Sequence, residues 1–224
     1  MKLKYYLIFL FLLLLPAGVL AYSVHAKNLG AKAEKTIGLN YYYGRNGFKR
    51  NYFKAAYWFR KAAERGNLNA QFDLGYAYYY GRGVKQNYPK AVYWYKKAAE
   101  LGNVHGQTYL ASAYYLGRGV KQSYSKAVYW LKKAADQGNA DAQYYLGYAY
   151  NYGKGVRRDY FKAFYWYKKA AAQGNVDAQA MVGSAYYLGR GVKQSYSKAV
   201  YWLHKSAAQG NKNARTLLNK IEQR

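Results

Sequence analysis

The sequence has no cysteine, only two prolines, three histidines and nine acidic residues among 224. Each shortage excludes something. Without thiols the chain can form no disulfide and no thiolate metal site, so its fold must stand on packing alone. The histidines, His25, His105 and His204, are too few for a metal site, and none has a carboxylate or serine at a triad-like spacing. The Gly-Arg-Gly-Val stretches lack the spacing of a phosphate loop and recur in turns, so helix termination accounts for them. No catalytic residue, metal or cofactor is therefore expected, and the chain is read as a non-enzyme. The scarcity of acid has the opposite effect: 36 Lys and Arg stand almost unopposed, with a formal net charge of +27. Charge on that scale concerns partners and solubility rather than fold. It suits an anionic partner: a nucleic acid, an acidic lipid surface, an acidic protein or an envelope polyanion.

Abundance begins at the N-terminus. MKLKYYLIFLFLLLLPAGVLAYSVHA places Lys2 and Lys4 before an apolar run from Leu7 to Leu15, then Pro16 and Gly18. Small residues recur at Val19-Leu20-Ala21 and Val24-His25-Ala26. This is the pattern of a signal peptide over 1–26, cleaved after Ala21 or Ala26, with a short linker over 27–33. The alternative is an uncleaved anchor, because Tyr5–Val24 approaches the ~20 residues of a bilayer span. Pro16 and the early small residues favour cleavage. The mature chain is thus expected in the periplasm or outside the cell, or else tethered by its leader. Export lowers nucleic acid as a partner and raises envelope polymers, and it leaves the membrane a partner only through an uncleaved leader.

The rest of the chain is periodic. Trp58, Trp94, Trp130, Trp166 and Trp202 fall 36 residues apart, and Gly66, Gly102, Gly138, Gly174 and Gly210 keep the same step, each followed by Asn. SAYYLGRGVKQSYSKAVYWL occurs twice unchanged, at Ser112–Leu131 and Ser184–Leu203, two periods apart. Self-similarity at this spacing marks a stacked array, and the copies are structural. Within one period Ala70, Leu74 and Tyr78 share one helical face, with Gly75 beside them for close approach. Tyr88, Ala91, Trp94 or Tyr95, and Ala98 share another. Gly81 and Gly83 end the first helix, Gly102 ends the second, and Asn103, Asn139 and Asn175 are placed to cap the next. Such a pair cannot bury its apolar face alone, so pairs must stack.

Ala70-Gln71, Leu74-Gly75, Tyr78, Gly81-Arg82-Gly83-Val84, Lys90-Ala91, Trp94, Lys97-Ala98-Ala99 and Gly102 together resemble the Sel1-like repeat, a relative of the tetratricopeptide repeat. The likeness covers about 34–223. The first copy is degenerate, with Asn46-Gly47-Phe48 in place of Gly-x-Gly-Val, and Asn213–Gln223 reads as a capping helix. The expected fold is all-α: a right-handed α/α superhelical solenoid of five helix pairs over 34–66, 67–102, 103–138, 139–174 and 175–210, with a cap over 211–224. The resemblance implies a concave groove lined by the first helices and a non-catalytic binding module. Relatives serve as adaptors in envelope signalling, secretion and host contact. Some cysteine-rich relatives are described as β-lactamase-like, but this chain lacks their cysteines.

Two surfaces are candidate sites. The first is the face left over on the first helices: Leu39 and Tyr42; Phe72, Tyr76 and Tyr79; Thr108, Ser112 and Tyr115; Tyr144, Tyr148 and Asn151; Ser184 and Tyr187. It is aromatic and hydroxyl-rich and suits a protein or peptide segment, or a saccharide. The competing reading takes these tyrosines as packing between neighbours. The second surface is cationic: one row on the second helices, Arg60 and Lys61, Lys96 and Lys97, Lys132 and Lys133, Lys168 and Lys169, and His204 with Lys205, and another in the turns, Arg82 and Lys85, Arg118 and Lys121, Lys154 and Arg157, and Arg190 and Lys193. Helices stacked ~10 Å apart would let these charges act together on an anionic envelope polymer. The competing reading is a solvated face that recurs because the repeat was copied.

Overall fold

The computed structural model describes residues 17–223, with side chains from residue 30 onward. The apolar part of the expected signal peptide, residues 1–16, lies outside the described residues. Among the described residues there are eleven helices and no strand. They are α1 (Ala17–Tyr43), α2 (Tyr52–Glu64), α3 (Leu68–Tyr80), α4 (Tyr88–Glu100), α5 (Val104–Leu116), α6 (Tyr124–Asp136), α7 (Ala140–Tyr152), α8 (Tyr160–Ala172), α9 (Val176–Leu188), α10 (Tyr196–Ala208) and α11 (Lys212–Glu222). The chain divides into two compact units, one ending at Asn87 and holding α1–α3, the other starting at Tyr88 and holding α4–α11. Helix α1 runs through both expected cleavage positions and through 27–33, so the expected linker is helical. Its Ala, Lys, Leu and Glu are good helix formers, which explains the continuity. Among the described residues no helix is long and apolar enough to cross a membrane.

The repeating boundaries have repeating causes. Asn67, Asn103, Asn139, Asn175 and Asn211 each accept, through the side chain, the backbone N–H three residues on. Each such cap contributes about 1 kcal/mol. The first helices end on Gly81, Gly117, Gly153 and Gly189, all left-handed. In the turn that follows, a second glycine seats the loop on the preceding second helix. At Gly155 (φ +76°) an added Cβ would lie 2.3 Å from the Tyr124 carbonyl carbon. Only glycine fits there.

Alanine dominates the core, and the largest fully buried side chains include Phe59, Tyr95, Tyr167 and Leu203. These directly follow tryptophans in sequence, as does Leu131 (6 % exposed). The choice between Trp94 and Tyr95 therefore falls to Tyr95, which is on one line with Ala91 and Ala99 at i±4, while Trp94 is half-buried. Close approach is bought by small residues: a Cβ on Gly147 would meet the Tyr167 ring at 2.7 Å.

The Ala-Gln pair of the motif has a distinct task. Buried Gln143 donates to the Ala135 carbonyl at 3.1 Å and accepts from Gln173 at 2.8 Å, while Gln173 also donates to the Gly138 carbonyl. Gln107 with Gln137 and Gln179 with Gln209 repeat the clamp. The N-terminal unit has an ion pair in the first repeat instead, Arg65 to Glu34 at 3.4 Å. There Gln71 donates to the Ala63 carbonyl, but its Oε1 is buried with no hydrogen-bond partner among the described residues.

Candidate binding site on the first helices

In the N-terminal unit the expected residues Leu39 and Tyr42 of α1 and Phe72, Tyr76 and Tyr79 of α3 are all half-buried. The space beside them is taken by an arginine. The guanidinium of Arg82 lies 5.3–5.8 Å from the ring centres of Tyr42, Tyr52, Tyr76 and Tyr80. It also donates to the Tyr42 hydroxyl. Burial, then the neighbouring Tyr80 and Tyr43, pushes the Tyr76 hydroxyl up from its ordinary value.

In the C-terminal unit the same face holds an open cavity of about 340 Å³ between α5 and α7, floored by α6. Thr108, Ser112, Tyr115, Tyr144 and Tyr148 all line it, so five expected residues meet in one place. Asn151 and Ser184 line a separate, smaller cavity of about 130 Å³ with Tyr167 and Arg190. Tyr187 stacks edge-on with Tyr196, with ring centres 5.7 Å apart, and lines neither cavity. Three further kinds of residue complete the larger cavity: the floor of Ala127, Val128 and Leu131, the ring of Tyr145, and Lys154, which the sequence shows as one of the basic residues of the turns. The floor residues were legible as the apolar face of α6. Lys154 is legible as a basic turn residue but not as part of the cleft, since only the seating of Gly155 on Tyr124 brings its turn back there. Its Nζ stands 5.4 Å from the Tyr124 ring centre.

Two carboxylates outside the cleft, Asp141 and Asp177, act on its tyrosines, and both raise Tyr145 after burial does. Burial, followed by Asp177 and Tyr145, pushes the Tyr144 hydroxyl up to about 12. Burial and then Tyr148 raise Tyr115. These hydroxyls stay protonated at neutral pH and can donate. No acidic side chain lines the cavity, and Lys154 is its one cation.

The outer row is more heavily engaged than its sequence suggests. Lys61, Lys133, Lys169 and Lys205 each stand 4.8–5.6 Å from the ring centres of a Tyr and a Trp one turn back. Lys97 stands over Tyr93 at 5.3 Å. The Tyr–Trp pairs are edge-on, as at Tyr165–Trp166 with 80° between planes. Their neighbours are engaged too: Lys96 pairs with Glu100 at 3.8 Å and Lys132 with Asp136 at 2.9 Å, and the His204 ring lies 3.4 Å from Glu222. Arg60 donates to the Tyr78 hydroxyl at 3.1 Å. A further series holds Lys54, Lys126, Lys162 and Lys198 over Tyr41, Tyr114, Tyr150 and Tyr186 at 5.3–5.6 Å. In a chain with nine acids, tyrosine faces take the place of carboxylates, each contact contributing roughly 0.5–1 kcal/mol at an exposed site.

Among the described residues no cluster of three or more His, Asp or Glu is placed to hold a metal ion. No curated protein matches the sequence. The Sel1 repeat family matches residues 31–67, 68–103, 104–139, 140–175 and 176–211. Among solved structures, the chain is 39 % identical to a protective antigen of uropathogenic Escherichia coli with an SLR fold, at a TM-score of 0.82. That match covers 85 % of this chain but only 41 % of the antigen. A Sel1 repeat protein from Oxalobacter formigenes is 33 % identical over 88 % of this chain and 78 % of its own, at a TM-score of 0.79. An immunity protein of Pseudomonas aeruginosa is 25 % identical over 83 % of this chain and 67 % of its own, at a TM-score of 0.50. The matched repeats, the eleven helices and these structures agree: the chain belongs to the Sel1 repeat family, as an α/α solenoid of five repeats closed by a final helix.

Proposed function

We propose that the protein is an exported, non-catalytic scaffold that holds a segment of a protein partner against its first helices. Sel1 repeat proteins are in general protein-interaction scaffolds. Relatives named as a protective antigen and as immunity proteins fit a protein-binding role. The observation that carries the reading is the 340 Å³ cavity lined by five residues of the first-helix row. Its size lies within the range of pockets that take a small ligand or one side chain of a larger one. The outer row supports a polyanion less well, because most of its cations already lie on rings or beside acids.

The test is affinity capture from envelope extract on the full chain, eluted along a salt gradient. A single protein retained past moderate salt, and lost when Tyr76→Ala and Tyr148→Ala are combined, is the expected result. A mixed anionic eluate released at low salt, and abolished by Lys96→Glu with Lys168→Glu, would instead place the function on the outer row.

A further inference from the structure

The clefts of the two units follow one plan and are finished differently. Tyr42, Tyr52, Tyr76, Tyr80 and Arg82 correspond to Tyr115, Tyr124, Tyr148, Tyr152 and Lys154. A planar guanidinium can stack on several rings at once, and Arg82 does so. The ammonium of Lys154 is a point charge held over Tyr124, and it leaves the cleft open. Thr108 and Ser112 widen it further: they stand where the first repeat has Lys35 and Leu39.

We propose that the open cleft takes the large apolar side chain of an acidic peptide segment, with a flanking carboxylate on Lys154. This rests on the scaffold reading and names the chemistry of its partner. The floor of Ala127, Val128 and Leu131 is apolar, and the rings of Tyr115, Tyr144 and Tyr148 form the walls, so an apolar group fits the depth. Lys154 and the tyrosine hydroxyls of the lining offer donors, and the lining itself holds no acid, Asp141 and Asp177 lying outside it though near enough to act on Tyr144 and Tyr145. The net charge of +27 steers acidic segments toward the surface and opposes basic ones. The N-terminal cleft, filled by its own Arg82, gives no such vacancy to an incoming side chain.

A random twelve-residue display library, selected on the immobilised full chain and counter-selected on Ser112→Tyr, tests this directly. Tyr already occupies the equivalent positions 76 and 148, so the substitution suits the repeat, and an unchanged melting curve confirms folding. The expected winners carry one large apolar residue flanked by Asp or Glu. Replacing that residue by Ala should weaken binding about thirtyfold. Lys154→Arg, which keeps the charge but can stack into the cleft as Arg82 does, should weaken it comparably. Enrichment of basic or uncharged peptides, acidic winners indifferent to Ser112→Tyr and Lys154→Arg, or no enrichment at all would each overturn the proposal. If a captured envelope protein is still lost with Tyr76→Ala and Tyr148→Ala while the library fails, the scaffold reading stands and only this inference falls.

Discussion

The N-terminal and C-terminal units carry equivalent aromatic clefts, and they differ in one basic residue and in the pair of side chains opposite it, Lys35 with Leu39 against Thr108 with Ser112. Arg82 fills the first by lying on four tyrosine rings, whereas Lys154 lies on one and leaves about 340 Å³ free. The comparison teaches that copied repeats need not be copied sites. Stacking demands the same caps, glycines and alanines in each repeat, but it leaves the first-helix face free to vary. Along this chain that face alternates between large pairs, Phe72 with Tyr76 and Tyr144 with Tyr148, and small ones, Thr108 with Ser112 and Ala180 with Ser184. An opening forms where the small pair of α5 looks toward the large pair of α7.

Several substitutions break or sharpen the contrast. The largest effect is expected from Gly155→Ala, which forces a Cβ into the Tyr124 backbone at a positive φ and unseats the turn carrying Lys154. A loss of about 3 kcal/mol or more should appear as an earlier urea midpoint by circular dichroism. Gly83→Ala should act similarly in the other unit, since its Cβ would lie 1.9 Å from the Tyr52 carbonyl oxygen, and it should release Arg82.

Next comes Asp73, on the face of α3 where later repeats have Tyr109, Tyr145 and Met181. Burial pushes its carboxyl up to about 6, against an ordinary 3.8, although Lys35 pulls the other way, and its Oδ2 is buried without a partner. A raised folded value means the folded chain holds the proton more tightly than the unfolded one. Stability from this group is therefore greatest at low pH and declines as pH rises from about 4 to about 6. Asp73→Asn should remove that decline and stabilise the protein by about 2 kcal/mol at pH 7, read from melting curves across that range.

Arg82→Lys is a smaller change, expected to cost about 1 kcal/mol as the bond to Tyr42 and contacts to several rings are lost. It should also open the N-terminal cleft. Lys154→Arg should move stability least, by within about 0.5 kcal/mol on the same melting assay, and in the stabilising direction.

Much of the fold was legible because its causes are local and repeated. Asn139 and Asn175 as caps, Gly81 and Gly102 as terminators, and the 36-residue step all follow from chemistry visible in one period. The first-helix row was legible as a face, but not which members would meet. Tyr115 and Tyr187 make the same edge-on contact, with Tyr124 and Tyr196, yet Tyr115 lines the large cavity and Tyr187 lines neither. The parking of lysines on rings was present in the sequence as Tyr-Trp-x-x-Lys, the i+4 and i+3 spacing that lets side chains meet. The same spacing serves a solvated or polyanion-binding lysine equally well, so the pattern alone does not choose the ring. Lys154 and Asp73 could not be placed, since one depends on a turn seated against another repeat and the other on what packs around α3.

The central claim is that an open C-terminal cleft, and not its filled N-terminal counterpart, receives the partner. The most direct measurement is a fluorescence titration of one library-selected peptide against wild-type full chain, Lys154→Arg and Arg82→Lys. The expected result is loss of affinity with Lys154→Arg and wild-type affinity with Arg82→Lys. Equal affinity for all three, or a loss confined to Arg82→Lys, would contradict the account.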